Sequence, residues 1–108
     1  MTRIEVTRQA RLDRDEIIDF YGENSYGANR FIEQVNDAFM HLQRWPDSAG
    51  QHPHITKRHV RFWLIDPYYI VLLRKQDTLI IIAILHTSRS ISNELRSRLT
   101  EGQNEKHL

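Results

Sequence analysis

Apolar residues recur every three or four positions from Ala28 to Trp45. Ala28, Phe31, Ile32, Val35, Ala38, Phe39, Leu42 and Trp45 form one stripe, and Glu33, Gln34, Asn36 and Asp37 fall outside it. That period predicts an amphipathic helix with its stripe turned to a core. Ser25 is the predicted N-cap, because its hydroxyl can accept from an early backbone N–H. Pro46 lacks an N–H and ends the helix. A first helix is predicted over Leu12 to Asn24, where Leu12, Ile17, Phe20 and Tyr21 sit near helical spacing. The short break at Asn24-Ser25 makes the two an antiparallel hairpin over roughly residues 10–45.

Outside the hairpin the period changes to two. Arg3 to Thr7 alternates as a half-buried strand, with Ile4 and Val6 on one side. Asp47 to Thr56 carries Gly50, Pro53 and two histidines and reads as a loop. Lys57 to Ile65 alternates again, with Val60, Phe62 and Leu64 opposite His59, Arg61 and Trp63. Tyr68 to Lys75 and Thr78 to His86 complete the strands, separated by Gln76-Asp77. In the last one Leu79, Ile81, Ala83 and Leu85 are expected to face one way and Ile80, Ile82 and Ile84 the other. A strand apolar on both faces belongs inside a sheet. Ile91, Leu95 and Leu99 then step by four, as in a short terminal helix.

These elements predict one α+β domain over residues 1–99: a helical hairpin packed on a mostly antiparallel four-stranded sheet, in the order β-α-α-β-β-β, with a short C-terminal helix. Its expected core is Ile17, Phe31, Val35, Phe39, Leu42, Ile70, Leu72, Ile82 and Ile84. Residues 100–108 are polar and are expected to be a disordered tail.

Length agrees, since 108 residues make one domain with a thin core. There is no cysteine, which removes disulfides and thiolate metal sites. The alternating N-terminus is unlike a signal peptide, and the longest apolar run, Leu79 to Leu85, is far short of a membrane span. A cytoplasmic protein without a membrane partner is expected. Charge is asymmetric: residues 1–56 hold six Arg and Lys against nine Asp and Glu, and residues 57–108 hold nine against five. The second half either presents a basic surface to an anionic partner or is ordinary solvated surface.

The ordered residues resemble a known family. Asp15-Glu16-Ile17-Ile18-Asp19-Phe20, then Asn24-Ser25, Ala28 and Arg30-Phe31, look like the helical hairpin of RelE/ParE toxins. Leu42 and Pro46 match that family's helix end. Arg61, Pro67-Tyr68-Tyr69-Ile70-Val71 and Arg74 resemble its arginine followed by an aromatic–aliphatic strand. Ile82, Ile84-Leu85-His86 and Arg89 resemble its last strand. The resemblance covers residues 3–90 and implies the toxin of a type II toxin–antitoxin pair, neutralised in a hetero-oligomer by a cognate antitoxin. ParE-like members poison DNA gyrase; RelE-like members cut messenger RNA on the ribosome. The hairpin and the His86-x-x-Arg89 ending look more like the ParE side, so gyrase inhibition without catalysis is expected, with ribosome-dependent RNA cleavage as the alternative.

Cleaving RNA through its 2′-hydroxyl needs a base, an acid and positive charge on the phosphate. In that alternative His86 is the acid or base, with a reference pKa of about 6.5. Arg61, Arg74 and Arg89 are the phosphate cations. These four converge only if their side chains share one face. Two plainer readings stand beside this one: His86 caps its strand, and the arginines pair with helix carboxylates or with an acidic antitoxin. The partner surface is expected at Arg61, Trp63, Arg74, Arg89, Ile91 and Leu95. The chain has no tyrosine after Tyr69 for stacking on a base, which weighs against a nuclease. Trp63, Tyr68 and Tyr69 serve either the core or base stacking. His52-Pro53-His54 and His59 have only Asp47 as a nearby carboxylate, so no metal site is expected. No cofactor motif is present either.

Overall fold

The computed structural model describes the backbone of residues 2–106 and the side chains of residues 2–99. The elements are β1 (Arg3–Val6), α1 (Arg8–Tyr21), α2 (Tyr26–Arg44), β2 (Arg61–Ile65), β3 (Tyr68–Lys75), β4 (Thr78–His86) and α3 (Ile91–Lys106). The four strands form one sheet in the order β1-β4-β3-β2. β1 runs parallel to β4, and the other pairs are antiparallel. The expected architecture is therefore the one found, with a longer last helix. The tail expected over residues 100–108 lies outside the fully described residues.

Helix α1 begins at Arg8 rather than Leu12 because Thr7 caps it, its hydroxyl accepting from the Ala10 N–H at 3.2 Å. Gly22 ends α1 at φ +93°, a conformation that favours glycine. Ser25 caps α2 as expected, accepting from the Ala28 N–H at 3.0 Å. At the turn the hairpin closes tightly: a Cβ at Gly27 would stand 2.7 Å from a ring carbon of Tyr21. Strand β2 starts at Arg61 rather than Lys57, since the Val60 N–H turns back to the Arg58 carbonyl at 2.8 Å.

The hairpin covers one face of the sheet, where Phe31, Val35 and Leu42 meet Ile70, Leu72, Leu79, Ile81 and Ile84. Ile17 and Phe39 are half-buried against this layer. On the other face Ile91 and Leu95 of α3 meet Val60, Phe62, Val71, Ile82, Ala83 and Leu85. Each fully buried side chain of this size stabilises the fold by about 1.5–3 kcal/mol. Leu12 and Phe20, which share helical spacing with Ile17, lie outside the core, exposed on α1.

Strict alternation in β4 is also overturned. Val71 pairs with Ala83 and the next residue, Leu72, pairs with Ile81, so Ile82 is an extra residue in β4. This bulge turns Ile82 and Ala83 to the same face and returns Ile84 to the hairpin side.

Candidate functional site

Arg61 and Arg74 come together on the hairpin side of the sheet, beside the end of α2. Both donate through Nη1 to one oxygen, Oδ1 of Asp47, Arg61 at 3.1 Å and Arg74 at close range. Arg74 is aimed separately, its Nε donating to the Gln76 carbonyl at 3.3 Å in the β3–β4 turn. The arginine pairs, first from Arg74 and then from Arg61, hold the Asp47 carboxyl below its ordinary 3.8. Trp63 lies two residues along β2 and stacks on His41 of α2, with ring centroids 4.7 Å apart. An open groove lined by His41, Trp45, Pro46, Asp47 and Ser48 adjoins the pair.

His86 and Arg89 stand at the other end of the sheet. His86 pairs with Tyr68 in the ladder. Its Nδ1 accepts from the Ser88 N–H at 3.0 Å and lies 2.7 Å from the Ser88 hydroxyl. That nitrogen is therefore committed to capping the turn after β4, which leaves Nε2 as the proton-bearing atom of the neutral ring. Tyr68 packs edge-on against the imidazole and donates its hydroxyl to that of Tyr21 at 3.3 Å. Burial, reinforced by this hydrogen bond, pushes the Tyr68 phenol up to about 12. Arg89 pairs with Glu94 at 3.3 Å. His86, Arg89, Tyr68, Ile17 and Phe20 line a cleft of about 320 Å³, and Phe20 stands 80% exposed at its edge.

The four residues of the cleavage alternative do not converge. Arg61 pairs with Leu72, Arg74 with Leu79 and His86 with Tyr68. Along β3, His86 is thus separated from Arg61 by four positions and from Arg74 by six, roughly 13 and 20 Å at strand rise. His86 and Arg89 form one group, and Arg61 and Arg74 another.

Ile91 and Leu95 need correction as partner-contact residues. They are 4% and 0% exposed because they seal the second face of the sheet. Tyr69 packs on Phe62 and His52. Among the described residues, no three His, Asp or Glu side chains stand together as a metal site, and no helix is long and apolar enough to cross a membrane.

The sequence reading missed Asp13 and Arg98. Arg98 Nη2 donates to Asp13 Oδ1 at 2.7 Å, and Arg98 Nη1 to the Ile82 carbonyl at 3.2 Å. Asp13 in turn accepts from the Ile84 N–H at 2.9 Å. The signal was present: Asp13 sits between Ala10 and Ile17 on the buried stripe of α1, where an unpaired carboxylate is costly. Asp47, in sequence only a lone carboxylate near the histidines, joins Arg61 and Arg74 in the structure.

A family model described as the ParE toxin of the type II toxin-antitoxin system parDE matches residues 4–91. Among solved structures, one from the chromosomal ParDE TA system of P. aeruginosa is 22% identical, with TM-score 0.56, covering 80% of this chain and 96% of that one. A copper-bound mutant toxin from Helicobacter pylori is 19% identical, with TM-score 0.58, covering 82% of this chain and 97% of that one. At these identities the structural likenesses speak for the fold. No curated protein matches.

Proposed function

The chain belongs to the ParE toxin family of type II toxin–antitoxin systems, and from that premise we propose that it poisons DNA gyrase by binding and is neutralised by a cognate antitoxin. The observation that carries this reading beyond the family is the separation of the two basic groups. RNA cleavage needs an acid or base and a phosphate clamp around one scissile phosphate. Here His86 lies roughly 13–20 Å along the sheet from Arg61 and Arg74, and its Nδ1 is occupied by Ser88. That arrangement supports an interaction surface rather than a catalytic centre.

In this reading the antitoxin engages Arg61, Trp63 and Arg74 at one end of the sheet and Arg89 at the other, in a hetero-oligomer in the cytoplasm. Ile91 and Leu95 support that surface from beneath. The ribonuclease alternative is tested beside it. Cells induced to make the chain should accumulate gyrase–DNA cleavage complexes without new messenger RNA ends, and co-expression of the neighbouring reading frame should restore growth. New RNA ends without gyrase complexes would replace this reading with the ribonuclease.

A further inference from the structure

Asp47 occupies Arg61 and Arg74 in an unusual way. A guanidinium and a carboxylate pair best side by side, through two parallel hydrogen bonds. Here two arginines share a single oxygen of one carboxylate. Two positive charges face one negative charge, so the site stays electropositive. The arginine side chains are 30% and 32% exposed, whereas Asp47 is 73% exposed. The cations are thus set into the surface and their occupant lies on top of it. Arg74 has an anchor besides that occupant, its Nε donating to the Gln76 carbonyl. Arg61 is carried on β2, and its guanidinium pairs with Asp47. Asp47 belongs instead to the loop after α2, next to Pro46.

We propose that Arg61 and Arg74 form a binding site for an acidic side chain of a protein partner, and that Asp47 is its built-in, displaceable occupant. An exposed ion pair contributes little to stability, so opening it is cheap. An incoming carboxylate gains the side-by-side geometry that Asp47 does not reach. It also brings neighbouring residues onto the groove at His41 and Trp45. A carboxylate is favoured over a phosphate because the resident group already fits as one. The inference rests on the antitoxin reading for the identity of the partner, and its test separates the two.

The first arm uses the protein encoded by the neighbouring reading frame, with wild type, Asp47→Asn and Arg61→Ala/Arg74→Ala chains. Asn keeps the shape of Asp47 and removes its charge. Removing a weak internal competitor should tighten binding about two- to tenfold, mainly through faster association, and the double alanine variant should weaken it tenfold or more. The second arm needs no partner: malonate is titrated against the arginine Nε–H signals by NMR. Malonate should bind D47N several-fold more tightly than wild type. Absence of any complex in the first arm, with malonate binding as expected, fails the antitoxin reading alone. Equal malonate affinity for D47N and wild type overturns the displaceable occupant. A single-stranded oligonucleotide that gains more from D47N than malonate and the partner do overturns the choice of a carboxylate.

Discussion

Asp13 and Arg98 lie 85 residues apart in sequence and close on each other with a 2.7 Å hydrogen bond at the open edge of β4. β1 pairs with β4 only as far as Ile81. Beyond it, the Ile82 carbonyl and the Ile84 N–H are taken by Arg98 and Asp13. The pair therefore substitutes for a missing strand, and it ties the hairpin layer to α3 around the edge of the sheet. Burial opposes the Arg98 charge, but Asp13 and then Glu94 outweigh it and raise the guanidinium pKa above its ordinary value.

Breaking one half of this pair leaves a largely buried charge and an unsatisfied backbone group. Asp13→Ala should cost about 3 kcal/mol in urea unfolding, and Arg98→Ala about as much. The double variant should cost clearly less than the sum, because the partners are coupled. Additive losses would mean that the two act independently.

Phe20 is the opposite case. It is 80% exposed beside the His86 cleft and contributes little to the core. Phe20→Ala should leave unfolding stability within about 0.5 kcal/mol and yet weaken partner binding by about 1–2 kcal/mol. Calorimetry on the purified pair reads both quantities. A large stability loss would place Phe20 in the core after all.

Tyr68 sets an alkaline limit. Its folded-state pKa is raised to about 12 from 10.0, so the folded chain holds this proton more tightly than the unfolded one. The contribution is complete below 10.0 and is lost as pH rises toward about 12. Absorbance titration should show one phenol ionising later than the rest. Tyr21→Phe should bring it partly back, since burial, the larger cause, remains.

Much of the fold was legible because it rests on periodicity. Most of the α2 stripe, the Ser25 cap and the succession of elements follow from local rules, although Ile32 and Trp45 of the stripe stay exposed. The starts of α1 and β2 differ through local turns at Thr7 and Arg58, whereas the other differences come from contacts distant in sequence. Alternation places Ile84 with Ile82, but the bulge separates them, and its open backbone groups are answered by residues from α1 and α3. Leu12 and Phe20 look like core by spacing, yet the hairpin buries Ala10 and Asp13 instead. At the site, Arg61 and Arg74 were readable as cations. Their distance from His86 follows from strand register, which no residue type announces.

The most direct test uses purified gyrase, negatively supercoiled plasmid and the folded chain, with His86→Ala beside it. Both chains should trap gyrase on cleaved DNA to a similar extent, and neither should cut messenger RNA on translating ribosomes. The contrary result is RNA cleavage by the wild type, lost by about 10²–10⁴ in rate in His86→Ala while partner binding survives, with gyrase unaffected by either chain.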